Sequence, residues 1–298
     1  MYGNYRPNHS DFLIHWTGKN IDRKYDPEWT KRSSSTTGKD VTQKYLKTLK
    51  GILKFGLWMT VSKESELIPI GTEKVKRLCP ARTCFTESKL SSVRAHAVEY
   101  GRLGIGFKRS FVLDRMGSPM IYYNPKKKWR DNWLFPPYVG LNGDFKMDDY
   151  FACFLKPMVK EQNSPSDITM VYKYYDESEW RIIYCQELED KLKQMNKKSL
   201  IRKIKKTSDF SDFADYVDPD CDVKPDYLIP VIDRWLAIII YPSLAIKVEA
   251  EADKEIRDLL KKIKPEKNSS SRCDYKKPAH WEKYSKPIEM DLDACRNF

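Results

Sequence analysis

The stretch FLIHWT, residues 12–17, is apolar except for one imidazole and one hydroxyl, a composition typical of a half-buried β-strand. Two later stretches have the same character, CFTE at residues 84–87 and ESEWR at residues 177–181. Gaps of roughly 70 and 90 residues separate the three, so only a tertiary fold can bring them together. The pattern therefore predicts a site assembled on a sheet, as in an enzyme, rather than a linear binding motif.

Helical patterns alternate with short strand-like runs along the chain, which predicts an α+β fold with a strand-rich centre. Val41–Phe55 places its apolar residues at three- and four-residue steps, and Gly56 follows as the expected C-cap. The other predicted helices are 88–100, 148–159 and 249–263, and the other predicted strands are 83–86, 105–107, 120–123, 167–174, 180–184 and 235–241. We expect one domain over residues 1–264, with a basic and aromatic loop insertion at 124–147, a basic amphipathic helix at 188–206, and a basic, flexible tail at 265–298.

The chain is strongly basic, with 54 lysines and arginines against 42 aspartates and glutamates, a formal net charge of +12 over 298 residues. Such a charge speeds encounters with polyanions, of which nucleic acid is the commonest in a cell. A soluble protein that is simply basic has the same composition, so charge alone leaves both interpretations open.

The cysteines and histidines indicate neither a disulfide framework nor a zinc site, because the seven cysteines form no CxxC pair and the four histidines are scattered. No signal peptide is predicted. The longest apolar run, residues 235–241, is far shorter than the ~20 residues of a membrane span. We therefore expect a reduced, soluble, cytoplasmic protein without a metal.

Glu177 and Glu179 are two residues apart in a strand-like setting and would share a face. Two carboxylates on one face repel unless something cationic lies between them, such as a transition state that develops positive charge. The alternative is a solvated acidic turn, which composition alone favours, although Trp180 and Arg181 tie this turn to the core. His15 is either a satisfied core histidine or a hydrogen-bonding group suited to a ribose hydroxyl or an amide.

Two further side chains are candidates for contacts with a ligand. Thr86 would share a strand face with Cys84. Tyr100 lies at the end of the predicted helix 88–100, where its ring could stack on a planar ligand. Ordinary packing is the alternative for Tyr100.

These motifs resemble two protein families. The spacing of His15, Tyr100 and Glu179 resembles the His–Tyr–Glu arrangement of ADP-ribosyltransferases, and Glu177-Ser178-Glu179 resembles the Glu-x-Glu turn of their arginine-directed members. Over about residues 12–260 the chain more closely resembles AbiGi-like phage-defence proteins of abortive infection. The motifs that carry this second resemblance are HWTGK at 15–19, ILKFGLW at 52–58, CFTE at 84–87, YGRLGIGF at 100–107, EWRII at 179–183 and AIII at 237–240.

The transferase resemblance implies a split mixed β-sheet core with peripheral helices, and NAD as the substrate. It implies that His15 holds a ribose of NAD, that the backbone at Trp16 and Thr17 holds the nicotinamide amide, and that Tyr100 stacks on the nicotinamide. Thr86 corresponds to the second motif of the family. Trp16 stands where the transferases usually have glycine between the histidine and the threonine.

The same resemblance implies a catalytic pair. Glu179 would stabilise the oxocarbenium ion that forms as nicotinamide leaves, since a fixed carboxylate beside a developing cation is electrostatic preorganisation. Glu177 would orient or deprotonate the acceptor.

Two basic stretches are candidates for binding nucleic acid, because bases stack on aromatic rings while cations contact phosphates. A solvated helix face and an ordinary basic loop are the alternatives. The candidate residues are Lys126, Lys127, Lys128, Trp129, Arg130, Lys198 and Arg202.

Together, the resemblances predict a bacterial toxin of an anti-phage toxin–antitoxin system that transfers ADP-ribose from NAD to nucleic acid, with RNA preferred, and that has a protein antitoxin as its partner. One alternative is a mono-ADP-ribosyltransferase that modifies a protein side chain such as arginine. The other is a non-catalytic antitoxin or regulator that binds a partner or nucleic acid through its basic face, since AbiGi-like proteins are commonly described as antitoxins.

Overall fold

The structure is a computed structural model of the 298-residue chain. The described residues are 12–33, 37–60, 67–70, 73–76, 80–87, 89–123, 153–157, 178–194, 201–203, 227–231, 235–262 and 287–297.

Strands and helices alternate along these described ranges. The strands are β1 Phe12–Thr17, β2 Leu57–Met59, β3 Leu67–Ile70, β4 Glu73–Lys76, β5 Arg82–Thr86, β6 Leu103–Lys108, β7 Ser118–Pro119, β8 Ile121–Tyr123, β9 Leu155–Pro157, β10 Glu179–Ile183, β11 Arg202–Lys203, β12 Tyr227–Ile229, β13 Leu236–Tyr241 and β14 Ile288–Asp291. The α-helices are α1 Lys19–Tyr25, α2 Lys39–Phe55, α3 Val93–Tyr100, α4 Arg109–Leu113, α5 Gln186–Gln194, α6 Leu244–Ala252 and α7 Lys254–Lys261. Short 3-10 helices occur at Trp29–Lys31, Leu90–Ser92 and Ala294–Asn297.

A seven-stranded sheet forms the centre, in the order β14-β13-β6-β1-β5-β10-β7. Its neighbouring strands are antiparallel except for β13 and β14, which are parallel, so the sheet is mixed. Smaller sheets join β11, β12 and β2, pair β3 with β4, and pair β8 with β9. The predicted α+β class with a mixed sheet and helices around it is confirmed, while the finer transferase-like arrangement stays a prediction.

Alternation along the central strands divides the core into two faces. On the first, which we call the α2 face, Leu13, Phe85 and Phe107 pack in one cluster with residues of α2, α6 and α7. On the second, the α3 face, Ile14 and Trp16 pack with Val93 and Ala97 of α3 and with Ile238 and Ile240 of β13.

Two glycines of β6 allow the close packing on the α3 face. A Cβ at Gly104 would lie 2.8 Å from the ring of Trp16, and a Cβ at Gly106 would lie 2.2 Å from the side chain of Ile238. The glycines in the motif at 100–107 therefore leave room for large neighbours on the adjacent strands.

Several predicted elements are confirmed. Helix 41–55 is α2, whose buried residues include Tyr45, Leu46 and Leu49, and Gly56 follows it with a φ of 117°. Helix 88–100 is a 3-10 turn followed by α3. The strands predicted at 12–17, 83–86, 105–107, 120–123, 180–184 and 235–241 correspond to β1, β5, β6, β8, β10 and β13.

Other predictions are wrong in the described residues. The basic helix predicted at 188–206 ends at Gln194, and Arg202–Lys203 instead forms β11, where the backbone pairs with β12. The helix predicted at 148–159 contains strand β9, which pairs in parallel with β8. Helix 249–263 is broken at Asp253, whose carboxylate accepts a hydrogen bond from the Ile256 N–H and so caps a new helix.

The predicted flexible tail at 265–298 also needs correction, because residues 288–291 form β14 in the central sheet and residues 294–297 form a 3-10 helix. Strand 167–174 and the loop insertion 124–147 lie outside the described residues. The division into one domain and a tail is otherwise untested. Within the described ranges, no helix combines the length and the apolar composition that crossing a bilayer requires.

Candidate functional site

The strand register decides which of the predicted site residues meet. Ile14 of β1, Thr86 of β5 and Glu179 of β10 lie directly opposite one another in three adjacent strands. Residues that face each other across antiparallel strands point to the same side of the sheet, so all three belong to the α3 face. His15 is the next residue of β1 and therefore points to the α2 face. His15 and Glu179 therefore lie on opposite faces of the central sheet.

His15 has the contacts of a packed core histidine. Its ring is half-buried and lies edge-on to Phe85, with the ring centroids 5.9 Å apart. Its Nδ1 donates to the Cys84 carbonyl over 2.9 Å, which fixes the tautomer. Burial lowers the pKa of His15, against the opposing effect of this hydrogen bond. The imidazole is therefore neutral at physiological pH and is held by the backbone of the adjacent strand.

Trp16 and Thr17 continue β1 beyond His15. Trp16 is buried above Gly104, and its Nε1 is a buried atom without a hydrogen-bond partner among the described residues. Thr17 is half-buried, and its carbonyl oxygen would lie 2.3 Å from a Cβ at Gly101, where φ is 108°. Only glycine fits at position 101, which is why the chain can turn there from α3 into β6.

Tyr100 is the last residue of α3 and is 37% exposed. The Nζ of Lys19 lies 5.9 Å from the centre of its ring. The structure thus places Tyr100 beside the start of α1. The roles of His15, Trp16, Thr17, Thr86 and Tyr100 in binding NAD are not tested by this geometry and stay predictions.

Glu179 lies in a buried charge network that we call the Glu179 cluster, formed by Glu179, Arg181 and Lys156. Arg181 donates its Nε to Oε1 over 2.6 Å and its Nη2 to Oε2 over 3.3 Å. Lys156 of β9 donates to Oε2 over 2.7 Å. The remaining Nη1 of Arg181 donates to the Cys153 carbonyl over 2.9 Å. Both oxygens of this carboxylate are therefore bound by cations within the protein.

The charges of the Glu179 cluster decide its protonation. Burial raises the pKa of Glu179, but Arg181 and Lys156 outweigh burial and bring the pKa down to about 2. Burial alone would lower the pKa of Arg181, but the negative charge of Glu179 has the larger opposite effect and raises this pKa. The guanidinium therefore stays charged. The Glu179 carboxylate is thus ionised at any physiological pH, and its negative charge is paired with two cations, Arg181 and Lys156. This arrangement is that of a structural ion pair rather than of a carboxylate open to a developing cation.

Two neighbours complete the surroundings of Glu179. Burial, with a further contribution from the Glu179 charge, raises the pKa of the Cys84 thiol to about 12, so this thiol stays protonated and unreactive. The preceding residue, Ser178, has a φ of 41°, and its carbonyl accepts the Glu87 N–H over 3.0 Å. The N–H of Glu179 itself donates to the Tyr122 hydroxyl over 2.9 Å. The entry into β10 is therefore fixed by hydrogen bonds to both the carbonyl and the N–H of the Ser178–Glu179 peptide group.

A second buried network, the Arg102 cluster, was missed by the sequence analysis. Arg102 is fully buried, and it donates its Nε to Asp22 Oδ1 and its Nη2 to Asp26 Oδ2, each over 2.8 Å. Its Nη2 also lies 2.7 Å from Asp22 Oδ1. Tyr45 of α2 donates to the same Asp22 Oδ1 over 2.7 Å. The guanidinium also lies 4.8 Å from the centre of the Trp29 ring. This network joins α1, α2 and the start of β6.

The Arg102 cluster is less completely satisfied than the Glu179 cluster. Asp22 Oδ2 and Arg102 Nη1 are buried without a hydrogen-bond partner among the described residues. Burial raises the pKa of Asp22, and the opposing charge of Arg102 does not fully offset it. The sequence signals that could have indicated this network were two aspartates four residues apart at α1 and an arginine directly after Gly101.

Comparison with known proteins gives a family for the chain. A family model described as "Putative abortive phage resistance protein AbiGi, antitoxin" matches residues 62–215, just over half of the sequence. The chain belongs to the AbiGi family. The predicted kinship with AbiGi proteins is therefore confirmed. No curated protein and no solved structure matches the chain.

The AbiGi match overturns the predicted function. The sequence analysis preferred a toxin that transfers ADP-ribose to nucleic acid, whereas the family is described as an antitoxin. That description favours the alternative of a non-catalytic antitoxin. The matched region contains Thr86, Tyr100 and Glu179 but not His15, so the full His–Tyr–Glu set is not a property of the matched region.

The remaining site predictions for this AbiGi protein fall largely outside the described residues. The predicted site residues in this undescribed part are Glu177, Lys126, Lys127, Lys128, Trp129, Arg130 and Lys198. Arg202 lies in strand β11 and not in a basic helix. Nucleic-acid binding by these residues stays a prediction. In the part of the chain that the structure describes, no group of three or more His, Cys, Asp or Glu side chains could hold a metal ion.

Proposed function

We propose that this AbiGi protein is a non-catalytic antitoxin, which restrains a protein toxin of an abortive-infection system by binding it. The observation that carries the proposal is the match of residues 62–215 to a family described as an antitoxin. A protein with this role needs a rigid framework that presents a binding surface, and it needs no reacting group.

The geometry of the predicted catalytic residues supports the proposal. Glu179 is 7% exposed and both of its oxygens are bound by Arg181 and Lys156. His15 points to the opposite face of the sheet and is held by the Cys84 carbonyl. Glu179 and His15 thus each have a sufficient structural role, which is what a framework protein requires.

Expression of the protein alone in a bacterial host separates an antitoxin from a toxin. We expect cells to grow as they do with the empty vector. Growth arrest on induction of this chain alone would contradict the proposal. A parallel incubation of the purified protein with labelled NAD, total RNA, DNA and cell lysate should give no labelled macromolecule.

Co-expression tests the binding itself. A host arrested by the toxin gene from the same phage-defence locus should resume growth when this protein is induced, and the two proteins should co-purify. The same host with an empty second vector is the control and should stay arrested. Rescue without a co-purifying complex would show that the protein does not act by binding the toxin.

A further inference from the structure

Positive charge is concentrated in the first described part of the chain. Residues 12–33 and 37–60 contain ten lysines and arginines against four aspartates and glutamates, so they hold six of the twelve net charges of the whole protein. This segment forms β1, α1 and α2, and it lies before the region that matches the AbiGi family model.

The acidic residues of this segment do not neutralise its surface. Asp22 is buried and Asp26 is largely buried, and both bind Arg102 from the interior side. Glu28 pairs with Lys31 on the 3-10 turn. Within the segment, the carboxylates other than Asp40 are thus turned toward the Arg102 cluster or already paired. From outside the segment, Asp253 and Glu255 pair with Lys50 of α2, which therefore adds no free charge to this surface.

Side chains of α1 and α2 converge on one aromatic ring. The Nζ of Lys24 lies 5.4 Å and the Nζ of Lys44 lies 4.0 Å from the centre of the Tyr25 ring. Arg23, which precedes Lys24 in α1, is exposed. Lys47 is exposed three residues beyond Lys44, on the same side of α2. We call this surface of Arg23, Lys24, Tyr25, Lys44 and Lys47 the α1–α2 face.

We infer that the α1–α2 face binds the phosphate backbone of a nucleic acid. Lysine and arginine side chains neutralise phosphates, and such contacts supply most of the affinity for a nucleic acid without reading its sequence. Protein–protein interfaces, in contrast, are depleted in lysine. A face whose charged residues are mostly lysines therefore fits a polyphosphate chain better than an acidic protein. This activity goes beyond toxin binding and does not depend on it.

The test compares two triple variants that lose the same charge. The test variant is Arg23→Gln/Lys44→Gln/Lys47→Gln, on the α1–α2 face. The control variant is Lys193→Gln/Lys247→Gln/Lys261→Gln, whose lysines lie on α5, α6 and α7 and pair with carboxylates of their own helices. Circular dichroism and thermal unfolding first establish that both variants fold as the wild type does.

Fluorescence anisotropy then measures binding to a labelled single-stranded RNA and a labelled DNA duplex of about 30 nucleotides. We expect the wild type and the control variant to bind, and the test variant to lose about tenfold or more in affinity at 50 mM salt. The slope of log affinity against log salt should become shallower by about 2 to 3 in the test variant, as expected for three lost phosphate contacts. Comparison of the RNA with the duplex shows which form is preferred.

Three results would overturn the inference. The first is a wild-type protein that binds neither probe at 50 mM salt. The second is a control variant that loses as much affinity as the test variant. The third is a test variant that binds both probes normally; if that variant also no longer rescues cells from the toxin, the α1–α2 face docks the protein partner instead. Failure to bind nucleic acid with intact rescue leaves the antitoxin proposal unaffected.

Discussion

The Glu179 cluster and the Arg102 cluster are both buried charge networks, but they are built in opposite ways. In the first, one carboxylate lies between two cations, Arg181 and Lys156. In the second, one buried guanidinium lies between two carboxylates, Asp22 and Asp26. Desolvation opposes ionisation of the carboxylate in both cases.

The outcome differs because the number of partner charges differs. Two cations overcome burial at Glu179, and its pKa falls to about 2. Asp22 shares its guanidinium with Asp26, and burial prevails, so its pKa is raised. A buried carboxylate is therefore strongly held only where the surrounding cations outnumber the anions, and the two clusters should respond differently to substitution and to acid.

The largest expected effect is that of Glu179→Gln. This change removes the carboxylate that Arg181 and Lys156 bind in the interior, which should lower the free energy of unfolding by about 3–5 kcal/mol. Urea denaturation followed by circular dichroism measures it. The double variant Glu179→Gln/Arg181→Met should recover part of the loss, because it removes one of the uncompensated charges. A loss below about 1 kcal/mol for the single variant would contradict the structural role assigned to Glu179.

The second-largest expected difference between the two clusters is in how acid changes the free energy of unfolding. The pKa of Glu179 is lower in the folded protein than its ordinary value of 4.5, so its contribution is fully present above that value and is lost as the pH falls toward about 2. The wild type should lose about 3 kcal/mol from this group over that interval. Asp22 has a raised pKa, so its contribution has the opposite sign and is lost as the pH rises through its folded pKa. Urea titrations at several pH values should show the Glu179 effect in the wild type and its absence in Glu179→Gln.

Gly18→Ala probes how the Arg102 cluster is positioned. Gly18 has a φ of 99°, and an added Cβ would lie 2.3 Å from the ring of Tyr45, whose hydroxyl donates to Asp22. We expect a loss of about 2–3 kcal/mol from backbone strain and displacement of Tyr45. Gly38→Ala is the matched control, because no atom lies within 4 Å of its added Cβ. Gly38 is the N-cap of α2, so this variant should lose no more than about 1 kcal/mol. Equal melting temperatures for the two variants would rule out this role of Tyr45.

The smallest expected effect is that of Asp22→Asn. The amide oxygen can still accept from Tyr45 and Arg102, Arg102 keeps Asp26, and a desolvated charge is removed. We expect a loss of about 1 kcal/mol at neutral pH, clearly less than for Glu179→Gln. Side-by-side urea curves measure both. If Asp22→Asn were the more damaging change, the proposed difference between the clusters would be wrong.

Much of the framework was predictable because local patterns dictate it. The apolar stripe that includes Tyr45, Leu46 and Leu49 indicated α2, and the dense apolar run at 235–241 indicated β13. The helix predicted at 188–206 is wrong at its C-terminal end. The helical pattern of the sequence continues through Arg202 and Lys203, but the backbone there pairs with β12 as a strand. Periodicity describes one segment at a time and contains no information about a pairing partner.

The candidate site was less predictable because it depends on register. A shift of one residue moves a side chain to the other face of a sheet, and separate strands give no indication of their alignment. His15 and Glu179 were both placed in real strands and still lie on opposite faces. One contact was readable from the sequence, since Arg181 is two residues beyond Glu179 and shares its face. The other partner, Lys156, lies in a segment predicted as helix, and only the tertiary structure brings it to Glu179.

The pairing of β13 with β14 has a consequence for synthesis on the ribosome. The edge of β13 gains its neighbour only after residue 291 has emerged, although residue 241 is translated well before it. At typical bacterial elongation rates this leaves an interval of about 2–10 s in which the apolar side chains of Ile238 and Ile240 lack their β14 cover. During that interval the nascent chain therefore presents an unpaired edge of β13, to which a strand of another chain could add.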